Sequence, residues 1–285
     1  MPRVSKQRAT TKRKPRAKKT GILDRIKPIG FDDSDGIKIN VYGRSGTGKT
    51  TLWSTFPGPI LAIICSGSNK SGEARSIDTP ENRKKIKSVE LESTTELNEI
   101  INHQKETEEF ATIVLDHATD LQNLALKEIL GLEELPAQLS WGLATQQQYG
   151  QCSLKMKEFL RALLNLSCNV VIVAQERDFN TDTESSDVMM PFVASALSPS
   201  VVGWLNPAVD YIAQTMIRGK EESYKKKLNG KTITKTRKVE GVEYCLRVAP
   251  DEVFTTKFRT PKSRKIEGVI VDPSYEKIMS IINGG

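Results

Sequence analysis

One segment in the first fifth of the chain has the residue types and spacing needed to hold phosphate groups. It reads Gly-Arg-Ser-Gly-Thr-Gly-Lys-Thr from Gly43 to Thr50 and fits the pattern G-x-x-x-x-G-K-[ST]. Its glycines let the backbone fold into a nest whose N–H groups point at phosphate oxygens. The N-terminus of a following helix adds a favourable field for an anion. The segment, called the phosphate loop below, therefore predicts a nucleoside triphosphate site.

The side chains of the phosphate loop have separate expected roles. We expect Lys49 to reach the β- and γ-phosphates, Thr50 to ligate Mg²⁺ and Thr51 to contact the α-phosphate. A glycine-rich turn without a ligand is the alternative, which the flanking strand and helix patterns disfavour. The predicted nucleotide-binding residues are Gly43, Arg44, Ser45, Gly46, Thr47, Gly48, Lys49, Thr50 and Thr51.

A carboxylate ends a later apolar run and is the second candidate for the metal. Asp116 follows Ile113-Val114-Leu115, and ligands of open parallel sheets bind at the carboxyl ends of the strands. We expect the strand of Asp116 to lie beside the strand that precedes the phosphate loop, so that Asp116 and Thr50 hold the Mg²⁺ shell. Capping of the following helix is the alternative role, and it is compatible with the first.

The group that activates water is not apparent next to Asp116, because the following residue is His117 rather than an acid. Another group must polarise the water that attacks the nucleoside triphosphate, or hydrolysis of that nucleotide is slow. Glu73 is one candidate, with an exposed loop acid as the equally weighted alternative, and Glu176 is a second. We interpret His117 and His103 as structural or exposed.

Apolar runs alternate with helical stretches around these residues. Strands are predicted at 37–41, 59–65, 110–116, 169–174 and 209–217, as a pair over 224–248 around a basic loop, and at 254–257 and 269–271. Helices are predicted at 96–108, 121–130, 146–166 and 275–282. The expected apolar face of the third helix comprises Leu154, Phe159, Leu160, Leu163 and Leu164. Residues 177–191 break this rhythm and are predicted to form a mobile loop.

This alternation predicts an α/β fold with three layers, a mainly parallel central sheet and antiparallel strands near the C-terminus.

Charge divides the chain of 285 residues further. The net charge is +7, but residues 1–20 hold nine Lys and Arg and no acid, and removing these nine leaves −2. We predict a disordered basic tail over 1–27 and one ATPase domain over 28–285.

Composition also argues against several protein classes. There is no apolar run near the ~18 residues that a membrane span requires, and no apolar segment near the start that could act as a secretory signal. The four cysteines are scattered and form no C-x-x-C pair, which disfavours a disulfide framework or a zinc site. We expect a reducing, cytoplasmic location and no membrane partner.

The phosphate loop, the strand ending in Asp116 and the strand ending in Gln175 together resemble the RecA-like P-loop ATPases. The short chain, Leu-Ser-Pro-Ser at 197–200 and Lys-Phe-Arg-Thr-Pro at 257–261 are similar to compact phage-type members that accompany single-strand annealing or recombination. The resemblance covers roughly residues 36–282. It implies a RecA-like fold, ATP and Mg²⁺ as cofactors, a homo-oligomer in the form of a ring or filament, and a bacterial or phage-infected host cell.

The resemblance also implies roles for three further residues. Gln175 would sense the γ-phosphate and pass its state to the following loop, which is acidic here and therefore unsuited to direct contact with DNA phosphates. Lys257 and Arg259 would reach the nucleotide of a neighbouring subunit and stabilise its γ-phosphate charge. A solvated basic edge strand is the alternative for this pair.

A basic segment near the C-terminus is the best candidate for a nucleic-acid surface. Residues 218–247 hold ten Lys and Arg against four Glu, a net charge of +6, and resemble a protruding hairpin. We expect an ATPase that acts on or with single-stranded DNA in recombination, annealing or replication, with the basic tail contributing phosphate contacts. The alternative is a nucleotide-switched assembly or loading module for an annealing or replication protein. A small-molecule kinase is disfavoured.

Overall fold

The computed structural model describes residues 36–65, 73–133, 135, 144–179, 192–228, 231–260, 266 and 268–284. The predicted tail over 1–27 and most of the predicted mobile loop, residues 180–191, lie outside these residues. For 73–74 and for the hairpin residues 223–228 and 231–236 only the backbone is described.

The fold is built on one large sheet. Its strands and those of a small second sheet are β1 Lys38–Gly43, β2 Ile60–Ile64, β3 Ile86–Glu90, β4 Thr112–Asp116, β5 Asn169–Ala174, β6 Glu176–Phe179, β7 Phe192–Ser195, β8 Tyr211–Leu228, β9 Lys231–Arg247, β10 Lys257–Phe258 and β11 Val269–Val271. The large sheet has the order β11-β9-β8-β1-β5-β4-β2-β3, and β10 pairs with β8. The strands from β8 to β3 run parallel. Strands β9 and β10 each pair with β8 in antiparallel fashion, and β11 pairs with β9 in antiparallel fashion.

Helices cover both faces of this sheet. They are α1 Lys49–Ser54, α2 Pro80–Lys85, α3 Thr94–Thr107, α4 Ala118–Leu130, α5 Gln146–Leu164, α6 Pro199–Ala208 and α7 Tyr275–Asn283, with a 3₁₀ helix at Glu73–Ile77. One apolar core lies under α3, α4, α5 and α6, and the other lies under α1 and α7. The strands β1, β4 and β5 are buried along their whole length because both faces are covered. The α/β fold with a mainly parallel sheet is therefore confirmed.

The structure corrects the predicted apolar face of α5. Leu154 is 69% exposed, whereas Cys152, Met156, Leu160 and other residues of one stripe are buried. Leu154 lies two positions from both Cys152 and Met156, which is about 200° around a helix. Its apolar character therefore does not place it in the core.

Several elements carry no strong sequence signal and were not predicted. Strand β3, Ile-Lys-Ser-Val-Glu, is an edge strand with no buried residue, so it lacks an apolar run. Residues 176–179 form β6 rather than part of a loop, because they pair with β7 in a two-stranded sheet. Helices α2 and α6 were also missed; each has a proline at its first turn and is short.

All four cysteines are buried, and none of them forms a disulfide. Within the described ranges, no helix combines the length and the apolar character that a bilayer crossing needs.

Candidate nucleotide-binding site

The phosphate loop lies at the carboxyl end of β1 and leads directly into α1. Gly46 has φ of 78° and Gly48 has φ of 90°, values that glycine adopts without the steric penalty of a side chain. At Gly43 a Cβ would lie 2.3 Å from Oγ1 of Thr215, so the loop packs tightly against β8. Oγ1 of Thr47 lies 2.7 Å from the same hydroxyl. Backbone conformation thus favours glycine at positions 46 and 48, and close packing against β8 favours glycine at position 43.

Lys49 places its charge inside the phosphate loop. The side chain is 6% exposed. Its Nζ donates hydrogen bonds to the carbonyl oxygens of Gly43 at 2.9 Å and of Arg44 at 2.7 Å. The loop carbonyls therefore hold an ammonium at the point where the sequence motif requires a phosphate-binding cation.

The strand order decides which groups face the phosphate loop. We expected Asp116 on the strand beside β1, but β5 lies between β1 and β4. The expectation was wrong because the pattern of apolar runs along the chain does not indicate which parallel strands pair. As a result Gln175, which directly follows β5, lies between the phosphate loop and Asp116 at the carboxyl edge of the sheet.

Asp116 is linked to the helix that the phosphate loop begins. Its carboxylate is 4% exposed, and Oδ2 accepts a hydrogen bond of 3.0 Å from Nε1 of Trp53 on α1. Thr50 lies three residues before Trp53, so both face the same side of α1. Thr50 and Asp116, the two residues predicted to hold the metal, therefore lie on the same side of the phosphate loop.

The second oxygen of Asp116 is suited to a cation. Oδ1 is buried and has no hydrogen-bond partner among the described residues. Nε2 of His117 lies 2.9 Å away, but not in hydrogen-bond geometry. The N-cap of α4 is His117, so the alternative role of Asp116 as a helix cap is not observed. A buried carboxylate oxygen without a hydrogen bond is costly unless a positive charge lies nearby.

The ligand set fits Mg²⁺ bound together with a nucleotide. No cluster of three or more His, Cys, Asp or Glu side chains in the described part of the chain could hold a metal by itself. Mg²⁺ in nucleotide sites commonly uses one or two carboxylates together with phosphate oxygens and water. The carboxylate of Asp116 and the hydroxyl of Thr50 meet that requirement.

A comparison with known protein families decides the broader assignment. The family described as AAA domain matches residues 35–260, a span that contains β1 to β10 with the phosphate loop and Asp116. The chain belongs to this AAA domain family. Proteins of this family are generally ATPases that bind nucleotide. No curated protein matches the chain.

In this AAA domain, Gln175 contacts the surroundings of Asp116. Its Nε2 lies 3.5 Å from Nδ1 of His117, and its backbone N–H donates to Oγ1 of Thr119 at 3.4 Å. Nδ1 of His117 also lies 3.6 Å from Oδ2 of Asp120. His117, which was interpreted from the sequence as structural or exposed, is buried and lies between the metal candidate Asp116 and Gln175.

Glu176 binds the phosphate loop from the side. Its Oε1 accepts a hydrogen bond of 2.6 Å from Nε of Arg44, and its Oε2 accepts one of 3.0 Å from Nε2 of Gln214 on β8. Both carboxylate oxygens of this second water-activating candidate therefore have protein partners. The first candidate, Glu73, begins the 3₁₀ helix, and its side chain lies outside the described residues.

Lys257 and Arg259 are not brought to the phosphate loop of their own chain. Strand β10 pairs with the start of β8, at the amino edge of the parallel strands. Nζ of Lys257 donates to carbonyl oxygens at the end of α6, at 2.8 Å for Asn206, and burial lowers the pKa of its ammonium. Arg259 donates to Oδ1 of Asp210 at 2.7 Å. Within one chain both cations stabilise the end of α6, and the role in a neighbour's site stays a prediction.

The site contains three residues that the sequence analysis did not select, namely Trp53, Gln214 and Thr215. Trp53 had one available signal, since its position three residues after Thr50 places it on the same helix face. Gln214 and Thr215 had none, because they contact the loop only through the pairing of β8 with β1.

Proposed function

We propose that this AAA domain is an ATP-binding, Mg²⁺-dependent, RecA-like ATPase that acts on or with single-stranded DNA in recombination, annealing or replication. The supporting observation is the position of Asp116. Its buried carboxylate is hydrogen-bonded to α1, the helix that begins with Lys49 and Thr50. Its Oδ1 accepts no hydrogen bond from the described residues, although Nε2 of His117 lies 2.9 Å away. Such an arrangement serves a cation that accompanies a bound phosphate.

The residues of the site divide the work of binding and orientation. Backbone N–H groups of the phosphate loop and the ammonium of Lys49 hold the β- and γ-phosphates. Thr50 and Asp116 would hold Mg²⁺, which would neutralise the negative charge of the phosphates when bound. Gln175 stands between the loop and Asp116, which supports the expectation that its side chain contacts the γ-phosphate and passes its state to β6.

A long hairpin supports the DNA part of the proposal. Strand β8 pairs with β1 only up to Thr215, and from Gln214 to Leu228 it pairs with β9. Thirteen residues beyond Thr215 extend roughly 40 Å at the usual rise of a strand. Lys225, Lys226 and Lys227 lie near the tip. A basic arm of this length can contact a phosphate backbone without reading sequence.

The acids of the hairpin reduce its charge only near its base and middle. Arg218 forms an ion pair with Glu243 at 2.9 Å, and Arg237 forms one with Glu222 at 3.1 Å. The lysine run at 225–227 lies across from Thr234, Ile233 and Thr232, so no acid stands opposite it in the β ladder. The tip is therefore the part of the hairpin that we assign to DNA.

Single-stranded DNA is expected to raise the rate of ATP turnover. Changing Lys225, Lys226 and Lys227 to Gln should weaken DNA binding at every sequence. It should lower the slope of log affinity against log salt by about 2, since each phosphate contact with a single strand contributes about 0.7. Fluorescence anisotropy at several salt concentrations measures this slope, and a phosphate-release assay measures turnover.

The matched control changes three lysines on helices, Lys84, Lys105 and Lys127, to Gln, which removes the same charge from another surface. An unchanged slope in the hairpin variant, or an equal drop in the control, contradicts the assignment of the hairpin. If single-stranded DNA alters neither turnover nor oligomeric state of the unmodified chain, the DNA role is wrong.

A second candidate function is a nucleotide-switched assembly or loading module for a protein partner. It is favoured by His117, which stands where an acid after Asp116 would activate water. In that case ATP occupancy would change affinity for an annealing or replication protein with little hydrolysis. Complex formation that depends on ATP and is indifferent to DNA would select this function.

Glu73 is the residue that we propose as the general base for water. Glu73→Gln should lower turnover about 10²-fold or more while ATP affinity stays unchanged, because the amide cannot accept a proton. Steady-state hydrolysis and equilibrium binding of ATP measure the two effects. Glu81→Gln, an exposed acid on the neighbouring helix α2, is the control. Turnover of Glu73→Gln at the unmodified rate excludes Glu73.

The proposal includes a homo-oligomer, a ring or a filament. In such an assembly Lys257 and Arg259 of one subunit would reach the nucleotide of the next. Their bonds to the end of α6 and to Asp210 would have to rearrange for this contact to form. Sedimentation with and without ATP tests for the assembly.

A further inference from the structure

Three exposed apolar side chains form one patch on the β8–β9 hairpin. Among the described residues the exposed large apolar side chains are Leu132, Tyr149, Leu154, Ile217, Val242, Tyr244 and Val253. Ile217 and Tyr244 are direct cross-strand partners, and Val242 lies two residues from Tyr244 on the same face. These three residues are called the apolar patch below. Its members are neighbours in the ladder, unlike the other four side chains.

The apolar patch borders the phosphate loop. Thr215, two residues before Ile217 and on the same face of β8, contacts Thr47 through the hydroxyl pair at 2.7 Å. A Cβ added to Gly48 would lie 3.4 Å from Cδ1 of Tyr244. The tyrosine ring therefore stands in van der Waals reach of the last glycine of the loop, at the point where α1 begins.

The backbone of Tyr244 is held in place, and the residue remains partly exposed. Its strand is paired on both sides, with β8 and with β11, and its carbonyl oxygen accepts a 2.8 Å hydrogen bond from the backbone of Asp272. The residue is nevertheless 45% exposed. A paired backbone and a partly exposed aromatic residue suit a stacking surface, since little order is then lost on binding.

The ligand of the apolar patch can be inferred from what the neighbouring phosphate loop binds. A nucleotide whose phosphates lie in the loop must place its base outside the loop, next to the first turn of α1. A base has two flat faces that stack on aromatic rings and pack against aliphatic side chains. The apolar patch is the exposed aromatic and aliphatic surface that adjoins Gly48, and the glycine keeps the space between loop and ring free of a side chain.

We propose that Tyr244, with Ile217 beside it, forms the surface on which the base of the bound nucleotide stacks. The inference rests on the proposed function, because it requires that the phosphate loop binds a nucleotide. Stacking depends on the area of the ring system, so this surface favours a purine over a pyrimidine nucleoside triphosphate. Tyr244 is thus assigned as a specificity residue of the site.

Calorimetric titration with MgATP and with magnesium tripolyphosphate separates the base from the phosphates. Tyr244→Ala should weaken MgATP binding about 5- to 150-fold, the range seen when an aromatic partner of one base is removed. Binding of tripolyphosphate should stay unchanged, since it carries no base. Tyr244→Phe keeps the ring and should bind MgATP like the unmodified chain.

Two further variants complete the test. Tyr149→Ala is the matched control. Tyr149 is 43% exposed, close to the 45% of Tyr244, but it lies on α5. Tyr244→Leu keeps an apolar side chain if the alanine variant fails to fold, and it should also weaken MgATP binding selectively. Equal MgATP affinity in a folded Tyr244→Ala or Tyr244→Leu chain overturns the inference. Equal losses of MgATP and tripolyphosphate also overturn it. If the unmodified chain binds neither ligand, the proposed function itself fails.

Discussion

The variant Lys49→Ala is expected to lose ATP binding and hydrolysis, with a fall of about 10²- to 10³-fold in turnover, the usual cost of removing one group that stabilises transition-state charge. The reason is the position of the ammonium. Nζ is buried inside the phosphate loop on the carbonyl oxygens of Gly43 and Arg44, where we expect the loop N–H groups to bind phosphate. Equilibrium binding of a fluorescent ATP analogue and a phosphate-release assay measure both effects.

Folding must be separated from binding in this variant. Alanine also removes two hydrogen bonds from a charged donor, each contributing about 1.5–3 kcal/mol to stability. A thermal unfolding curve without nucleotide reports that loss, and Lys84→Ala on α2 is the control for loss of one positive charge. A folded Lys49→Ala chain that binds ATP as the unmodified chain does would place the phosphates elsewhere.

Asp116→Asn is expected to abolish the Mg²⁺ dependence of hydrolysis and to lower turnover about 10²-fold or more. The amide oxygen can still accept the hydrogen bond from Nε1 of Trp53, so α1 keeps its contact with β4. What disappears is the negative charge that a divalent cation needs. Turnover measured across a series of Mg²⁺ concentrations, together with ATP binding in the absence of Mg²⁺, distinguishes loss of the metal from loss of the nucleotide.

The choice of asparagine and of the control follows from the contacts. Asp116→Ala would leave the buried Trp53 Nε1 unpaired, at a cost of about 1–3 kcal/mol, and would confuse folding with metal binding. Asp120→Asn changes a nearby acid whose side chain is 46% exposed, and it should leave the Mg²⁺ dependence as it is. If Asp116→Asn and the unmodified chain respond to Mg²⁺ alike, Asp116 is not a metal ligand.

The local pattern around the phosphate loop could be predicted from residue order alone. An alternating apolar strand, glycines at positive φ and a helix start are short-range features, and each depends on residues within a few positions of one another. The same holds for the buried runs that became β2, β4 and β5. Edge elements escaped prediction because their residues are half exposed, as in β3, or depend on a distant partner, as β6 depends on β7.

Burial of single side chains on a helix was a less certain prediction than the helix itself. Leu154 is apolar and lies within α5, yet it faces away from the stripe formed by Cys152 and Met156. The hydrophobic pattern showed that α5 has a buried side, but the direction of that side depends on where α4 and α6 pack. One residue in five of the predicted face was therefore misplaced.

Short-range pattern thus established the α/β class, the phosphate loop and the acid that ends β4, since backbone geometry and burial of continuous runs are local properties. Which other residues lie next to the phosphate loop was decided by strand pairing. The order β1-β5-β4 places Gln175 between the loop and Asp116. The pairing of β8 with β1 brings Thr215 to the loop, and the pairing of β9 with β8 brings Tyr244 there. The Trp53–Asp116 contact spans 63 positions, and Lys257 binds the end of α6 rather than the loop of its own chain. Such contacts depend on which surfaces bury each other, and residue spacing along the chain does not encode that choice.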